Sequence, residues 1–172
     1  VSGIIIKINT FVSENQTEII MNKSLSLFIF LLISISTFGQ AIRNSDGVYT
    51  DSKGKPFTGI SYEYYHDSLV HISAGIKDGK LEGQTKIYFN NGQLEEIRSF
   101  KGGKMDGHWE KWNAENIKIA EAGYVDNKKD GKWYVWDENG TLRYDMTYSS
   151  GKKTGTWLMY DEKGKLTSEK SY

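Results

Sequence analysis

The chain has 172 residues, with 22 Lys plus Arg against 22 Asp plus Glu, three His, one Pro, 18 Gly and no Cys. A net charge of zero supplies no field for a polyanion, which argues against a nucleic-acid binder working by phosphate neutralisation. The lack of Cys excludes disulfides, thiolate nucleophiles, zinc–thiolate sites and the acylated cysteine of a lipoprotein.

Residues 1–20 carry an Ile cluster (Ile4, Ile5, Ile6) and precede Met21, where a more plausible reading start lies, so they are read as a mis-assigned N-terminal extension. From Met21 the sequence MNKSLSLFIFLLISISTFGQA has one cation (Lys23), an apolar stretch from Leu25 to Phe38 broken by Ser and Thr alone, and then small or polar residues. This is the three-part plan of a secretory signal peptide, assigned to residues 21–41. The stretch is shorter than the roughly 20 residues a membrane span needs. Cleavage is therefore expected, after Ala41 (Gly39 and Ala41 at −3 and −1) or after Gly39 (Thr37 and Gly39). The protein is expected in the periplasm or outside the cell, not lipidated, and to meet the membrane during export only.

Residues 42–58, with Tyr49, Asp51, Gly54 and Pro56, are predicted to form an N-terminal capping hairpin. From Gly59 an internal repeat dominates. Gly59, Gly83, Gly107, Gly131 and Gly155 stand 24 residues apart without insertion or deletion. Five positions after each comes an aromatic residue: Tyr64, Tyr88, Trp112, Trp136, Tyr160. Seventeen after each come Ile76, Phe100, Tyr124, Tyr148 and Tyr172, and two after the last three glycines come Trp109, Trp133 and Trp157. These columns divide residues 59–172 into units 59–82, 83–106, 107–130, 131–154 and 155–172.

Each unit reads as a β-hairpin. Residues 131–136 (GKWYVW) are rich in aromatic and β-branched residues, residues 137–140 (DENG) have turn chemistry, and the segment that follows alternates. Leu142, Tyr144, Met146 and Tyr148 are expected on one face, as are Val70, Ile72, Ala74 and Ile76 in the first unit. Asn116 occupies the place that Gly92, Gly140 and Gly164 hold elsewhere, as suits a left-handed turn position. The expected fold is all-β: an antiparallel β-meander of five 24-residue hairpin repeats, forming a single-layer, elongated, twisted sheet of about ten strands. Tyr172 falls on the last aromatic column, so an open strand edge is expected there.

The combination Gly-x-Trp-x-x-Trp/Tyr, Asn-Gly-x-Leu and Tyr-x-x-Gly-Lys-x-x-Gly resembles the bacterial variant of the MORN repeat, found in the YwqK-family antitoxin group. The resemblance spans residues 59–172. It implies a non-enzymatic β-repeat surface associated with protein interaction, with lipid binding, and with toxin neutralisation. An export signal sits poorly with a cytoplasmic antitoxin.

Catalytic and metal signatures are weak. His66, His71 and His108 fall at different phases of their units, which fits isolated surface histidines. Glu95 and Glu96 are adjacent and so point oppositely on a strand, a poor acid/base pair. Glu82, Asp106 and Asp130 form a recurring acidic row that could hold a cation, but Lys80, Lys104, Lys128 and Lys152 recur two residues earlier and are expected to neutralise it. No cofactor and no metal are expected.

The candidate partner surface comprises Trp109, Trp112, Trp133, Trp136, Trp157 and Tyr160. Trp109 and Trp112 differ by three positions, so in a regular strand they face opposite ways and one Trp column is a candidate binding strip; the alternative is that both columns serve packing between units or within a curved trough. The sequence thus points to an exported binding or scaffold protein of the cell envelope with a protein partner, not an enzyme, and with self-association through the C-terminal strand edge as one mode. The alternatives are an antitoxin or immunity protein holding a cognate toxin, and a glycan- or lipid-binding envelope module.

Overall fold

The structure is a computed structural model that describes residues 41–65 and 68–172; the predicted extension, most of the predicted signal peptide and His66 lie outside the described residues. Two short strands open the described chain, β1 (Ile42–Arg43) and β2 (Tyr49–Thr50). Ten longer ones follow: β3 (Gly59–Tyr64), β4 (Val70–Lys77), β5 (Lys80–Tyr88), β6 (Leu94–Lys101), β7 (Lys104–Trp112), β8 (Lys118–Val125), β9 (Lys128–Trp136), β10 (Leu142–Ser149), β11 (Lys152–Tyr160) and β12 (Leu166–Ser171). Strands β3 to β12 make one antiparallel sheet in strict sequence order, so the predicted open ten-stranded meander is the observed fold.

Two kinds of turn build it. At one end β4–β5, β6–β7, β8–β9 and β10–β11 are joined by two-residue turns whose residues both have positive φ: Asp78 and Gly79, Gly102 and Gly103, Asp126 and Asn127, Ser150 and Gly151. Such turns match the right-handed twist of the strands they join. At the other end the strands are joined by five-residue loops, three of which close around an Asp or Asn side chain. In 137–141 the Asp137 carboxylate accepts from the N–H groups of Asn139 (3.0 Å) and Thr141 (2.9 Å), and Asp161 repeats this at Lys163 and Lys165. Asn113 does the same in 113–117, where Asn116 takes φ +60° in place of glycine.

The repeat glycines sit where each strand bulges. Between the pairs Ala74↔Thr85 and Ile76↔Leu81, three residues of β5 face one of β4, and Gly83 lies in that excess at φ +74°. Gly107, Gly131 and Gly155 take φ of +105°, +76° and +65°. A Cβ on Gly83 or Gly131 would meet nothing within 4 Å, so the backbone angle rather than crowding demands glycine there. Across the next strand pair each repeat glycine lies opposite the residue 17 positions on, as in Gly83↔Phe100 and Gly131↔Tyr148.

A second bulge, near the five-residue loops, changes one expectation. Glu63 pairs with Ile72 but Tyr64 with Val70, so His71 is extra and Val70 goes to the opposite face from Ile72 and Ala74. The two faces carry separate hollows, one lined by Val70 with Tyr62 and Tyr88, the other by Ile72 and Ala74. The register shift between Leu142 and Tyr144 likewise parts Leu142 from Tyr144, Met146 and Tyr148. In β4, β6, β8, β10 and β12 alternation holds along the rest of the strand and fails at its first residue.

Register places one side chain per strand in lateral rows. One row runs Ser61, Ala74, Thr85, Arg98, Trp109, Ala122, Trp133 and Met146, and a second runs Ile72, Ile87, Glu96, Lys111, Ala120, Val135 and Tyr144. Buried sheet residues fall in these rows: Ala74, Ala120, Ala122, Trp133, Thr85 and Glu96, with Ile76 beside them. We call this the inner face. Residues 42–58 dock at its N-terminal end through Tyr49 N–H to Gly79 O (2.9 Å), Gly79 N–H to Phe57 O (2.8 Å) and the buried Phe57 ring.

Candidate binding face

The inner face changes chemistry midway. Two residues before each repeat glycine stand Phe57, Leu81 and Met105, then Lys129 and Lys153; two residues after stand Ser61 and Thr85, then Trp109, Trp133 and Trp157. From β7 onward rings touch rings. Tyr124, Trp133, Tyr148, Trp157 and Tyr172 follow one another with centroid separations of 5.2, 5.3, 5.2 and 4.8 Å, tilted or edge-on as ring quadrupoles favour.

The indole N–H groups are tied down. Trp133 donates to Gly123 O and Trp157 to Thr147 O, each at 3.0 Å, which satisfies carbonyls at the bulges. Trp109, first of the column, donates instead to the carboxylate of Glu96. Glu96 is 4% exposed and also accepts from Arg98 Nε, with Lys111 Nζ at 4.0 Å. Burial pushes the Tyr124 hydroxyl to a higher pKa, which the nearby Arg98 opposes and Glu96 reinforces.

Lys129 Nζ lies 4.1 Å from the Trp133 centroid and 4.9 Å from that of Tyr148. Lys153 Nζ lies 4.4 Å from Trp157 and 5.0 Å from Tyr172. Neither ammonium has a carboxylate within ion-pair distance among the described residues.

The outer face differs. Trp112, Trp136 and Tyr160 lie there, half-buried, so the six candidate residues divide between the two faces as the three-residue offset requires. Two lysines on the outer face are paired: Lys118 with Glu110 (3.3 Å) and Glu121 (3.1 Å), Lys132 with Asp145 (2.6 Å). Partial burial works against the Lys118 ammonium, but the two carboxylates outweigh it and hold its pKa above the ordinary value. The hydrogen bond to Asp145 raises that of Lys132.

The acidic row is used by turn backbones rather than by lysines. Glu82, Asp106 and Asp130 accept from the N–H groups of Gly102 (2.7 Å), Asp126 (3.3 Å) and Ser150 (2.8 Å), and Thr58 plays that part for Asp78. Each acid thereby clips the turn of the following hairpin, and among the described residues no His/Asp/Glu group is placed to hold a metal ion. Lys104 pairs instead with Asp126 at 2.5 Å, which lowers the Asp126 pKa. Of the histidines, His71 packs on Tyr65 with centroids 4.3 Å apart, and His108 is exposed.

Sequence reasoning overlooked Thr85 and Arg98, weighed Glu96 solely as half of an acid/base pair and missed its burial, and overlooked Lys129 and Lys153 as members of the aromatic strip. The signal for the lysines was present as a repeat column that turns from apolar to cationic. For Glu96 there was none, because its burial follows from register with Lys111 and from the reach of Trp109.

Three segments match a family model, the MORN repeat variant: residues 81–101, 129–150 and 153–172. No curated protein matches the chain. The matched segments coincide with hairpins β5–β6, β9–β10 and β11–β12, so three of the five hairpins are similar to the MORN repeat variant, and the unmatched hairpins β3–β4 and β7–β8 keep the same 24-residue glycine spacing.

Proposed function

We propose that the protein acts by binding, and that the C-terminal half of its inner face receives an acidic segment of a protein partner in the cell envelope. One observation carries this reading: Lys129 and Lys153 rest on aromatic rings with no anionic partner among the described residues, whereas Lys118 and Lys132 on the outer face are neutralised. Ammonium groups held against rings form a preorganised cationic pair, and carboxylates of a partner complete it. Equivalent positions one repeat apart are separated by two strand spacings, about 9.5 Å, a distance that acidic side chains of one extended chain span. Stacked repeats supply such elongated surfaces generally.

Export rests on the signal-peptide pattern of residues 21–41, and N-terminal sequencing of the secreted chain should read from Gln40 or Ile42. A chain retaining Ile4 would overturn it. The binding proposal is tested by capture from the native envelope fraction on the full chain and on K129E/K153E. An acidic protein recovered in stoichiometric amount by the parent and lost by the double variant supports it. Equal recovery by both would sink it. A toxin as the recovered partner would select the antitoxin function of the YwqK group, and recovery of glycan or lipid alone would replace the protein partner.

A further inference from the structure

We infer that the segment received by the aromatic strip is a left-handed polyproline II helix lying across the strands, with a carboxylate on every third residue. The inference rests on the binding function proposed above and adds the partner's conformation and residue spacing. Register gives the strip its period. One inner-face residue per strand follows in the order Phe100, Met105, Tyr124, Lys129, Tyr148 and Lys153, because Phe100 pairs with Met105, Tyr124 with Lys129 and Tyr148 with Lys153. Lys129 Nζ reaches on to the Tyr148 ring (4.9 Å) and Lys153 Nζ to the Tyr172 ring (5.0 Å). Ring and ammonium thus alternate from β8 onward, and an ammonium recurs on every second strand.

Two strand spacings are about 9.5 Å. An occupant that meets Lys129 and Lys153 together must present side chains of one face at that interval. A β-strand presents them at about 6.7 and 13.4 Å, because its residues alternate between faces. An α-helix returns to the same face after seven residues, about 10.5 Å on, and is out of step by about 2 Å after two such intervals. Polyproline II has three residues per turn and rises about 3.1 Å per residue, so residues i and i+3 share a face about 9.3 Å apart. This conformation alone keeps step with the strands. The two residues between the acids then lie over Tyr148, and proline-rich helices of this kind dock on aromatic-lined surfaces. Their backbone is preformed, so little ordering entropy opposes docking. One interval nearer the cap the lysine column becomes Met105, beside Phe100, and the third anchor is therefore apolar. The recognised pattern is acidic-x-x-acidic-x-x-apolar or its reverse, with x rich in proline.

The test is an NMR titration of the full chain with end-blocked peptides, followed at the indole N–H signals of Trp133 and Trp157. The probes are Glu-Pro-Pro-Glu-Pro-Pro-Leu, its reverse, the isomer Glu-Pro-Glu-Pro-Pro-Pro-Leu, and an alanine–glutamine helix carrying Glu, Glu and Leu at seven-residue intervals. One of the two three-spaced peptides should bind saturably, at least about tenfold tighter than the isomer and the helix, as loss of one charge-assisted contact implies. Lys153→Gln, at an exposed position, should reduce that preference to about twofold or less. Equal affinity for every spacing, abolished in K129E/K153E, would overturn the inference and leave the acidic-partner reading standing. Tighter binding of the helical peptide would overturn it in the same way. Binding of a three-spaced peptide that K129E/K153E does not weaken would overturn both. A lack of saturation by either three-spaced peptide would overturn the polyproline geometry, while capture from the envelope fraction judges the underlying reading separately.

Discussion

The two halves of the inner face solve the same problem by different means. Under the cap, between β3 and β6, the sheet can use Ile72, Ala74, Ile76 and Ile87, because residues 42–58 bring Phe57 and Tyr49 against it. From β7 onward no second layer covers the sheet among the described residues, and the rows widen to Trp and Tyr rings that cover one another. A single-layer sheet has no opposing core, so wide rings supply lateral burial that aliphatic side chains of one strand cannot reach. The boundary is Trp109, where the indole leaves the bulge carbonyl used by Trp133 and Trp157 and turns to buried Glu96.

Trp133→Ala tests that contrast most strongly. Trp133 is 9% exposed and touches Trp109, Tyr124 and Tyr148, so its loss should cost about 3 kcal/mol in urea unfolding. Trp136→Ala on the outer face should cost about 1 kcal/mol, because fewer of its atoms leave water. Equal costs would mean that the faces are energetically equivalent.

A second pair asks whether the halves share one scaffold despite their different surfaces. A Cβ on Gly75 would come 2.3 Å from Glu82 O, and one on Gly123 would come 2.2 Å from Asp130 O. Gly75→Ala and Gly123→Ala should each destabilise by about 2–3 kcal/mol through forced backbone movement. A large gap between them would show that the cap, not the repeat, governs the N-terminal half.

Asp130→Ala removes the acceptor of the Ser150 N–H. The loss should be about 1 kcal/mol, the ordinary net worth of one hydrogen bond, with faster amide exchange confined to the 150–151 turn.

The smallest effect is electrostatic. Lys104 holds the Asp126 carboxyl below its ordinary pKa. A depressed folded-state pKa contributes stability that is complete above the ordinary carboxylate range and is lost as pH falls through the lowered value. In Lys104→Gln, an NMR titration should find the Asp126 pKa raised towards the ordinary value. A pKa unchanged from the parent would refute the pairing.

Much of this architecture was legible in the sequence. The constant 24-residue spacing gave the units, and the glycine and Asn116 positions gave the turns. The three-residue offset between Trp109 and Trp112 gave their opposite faces. What escaped detection depended on the bulges. Val70 and Leu142 read as members of an alternating row, yet one inserted residue in each strand transfers them to the other face. The acidic row read as partnered by lysines close in sequence, but each acid reaches the turn 20 residues on, a neighbour only after hairpins stack.

The sequence by itself determined the repeat length, the strand count and the columns, because turn conformations and period-two burial are local and recur in every unit. The tertiary structure decided which aromatic column is inner, that Glu96 is buried beside Arg98 and Trp109, and that Lys129 and Lys153 lie on rings while Lys118 and Lys132 are paired with carboxylates. Each of these depends on register across neighbouring hairpins, and those distances do not exist until the sheet has formed.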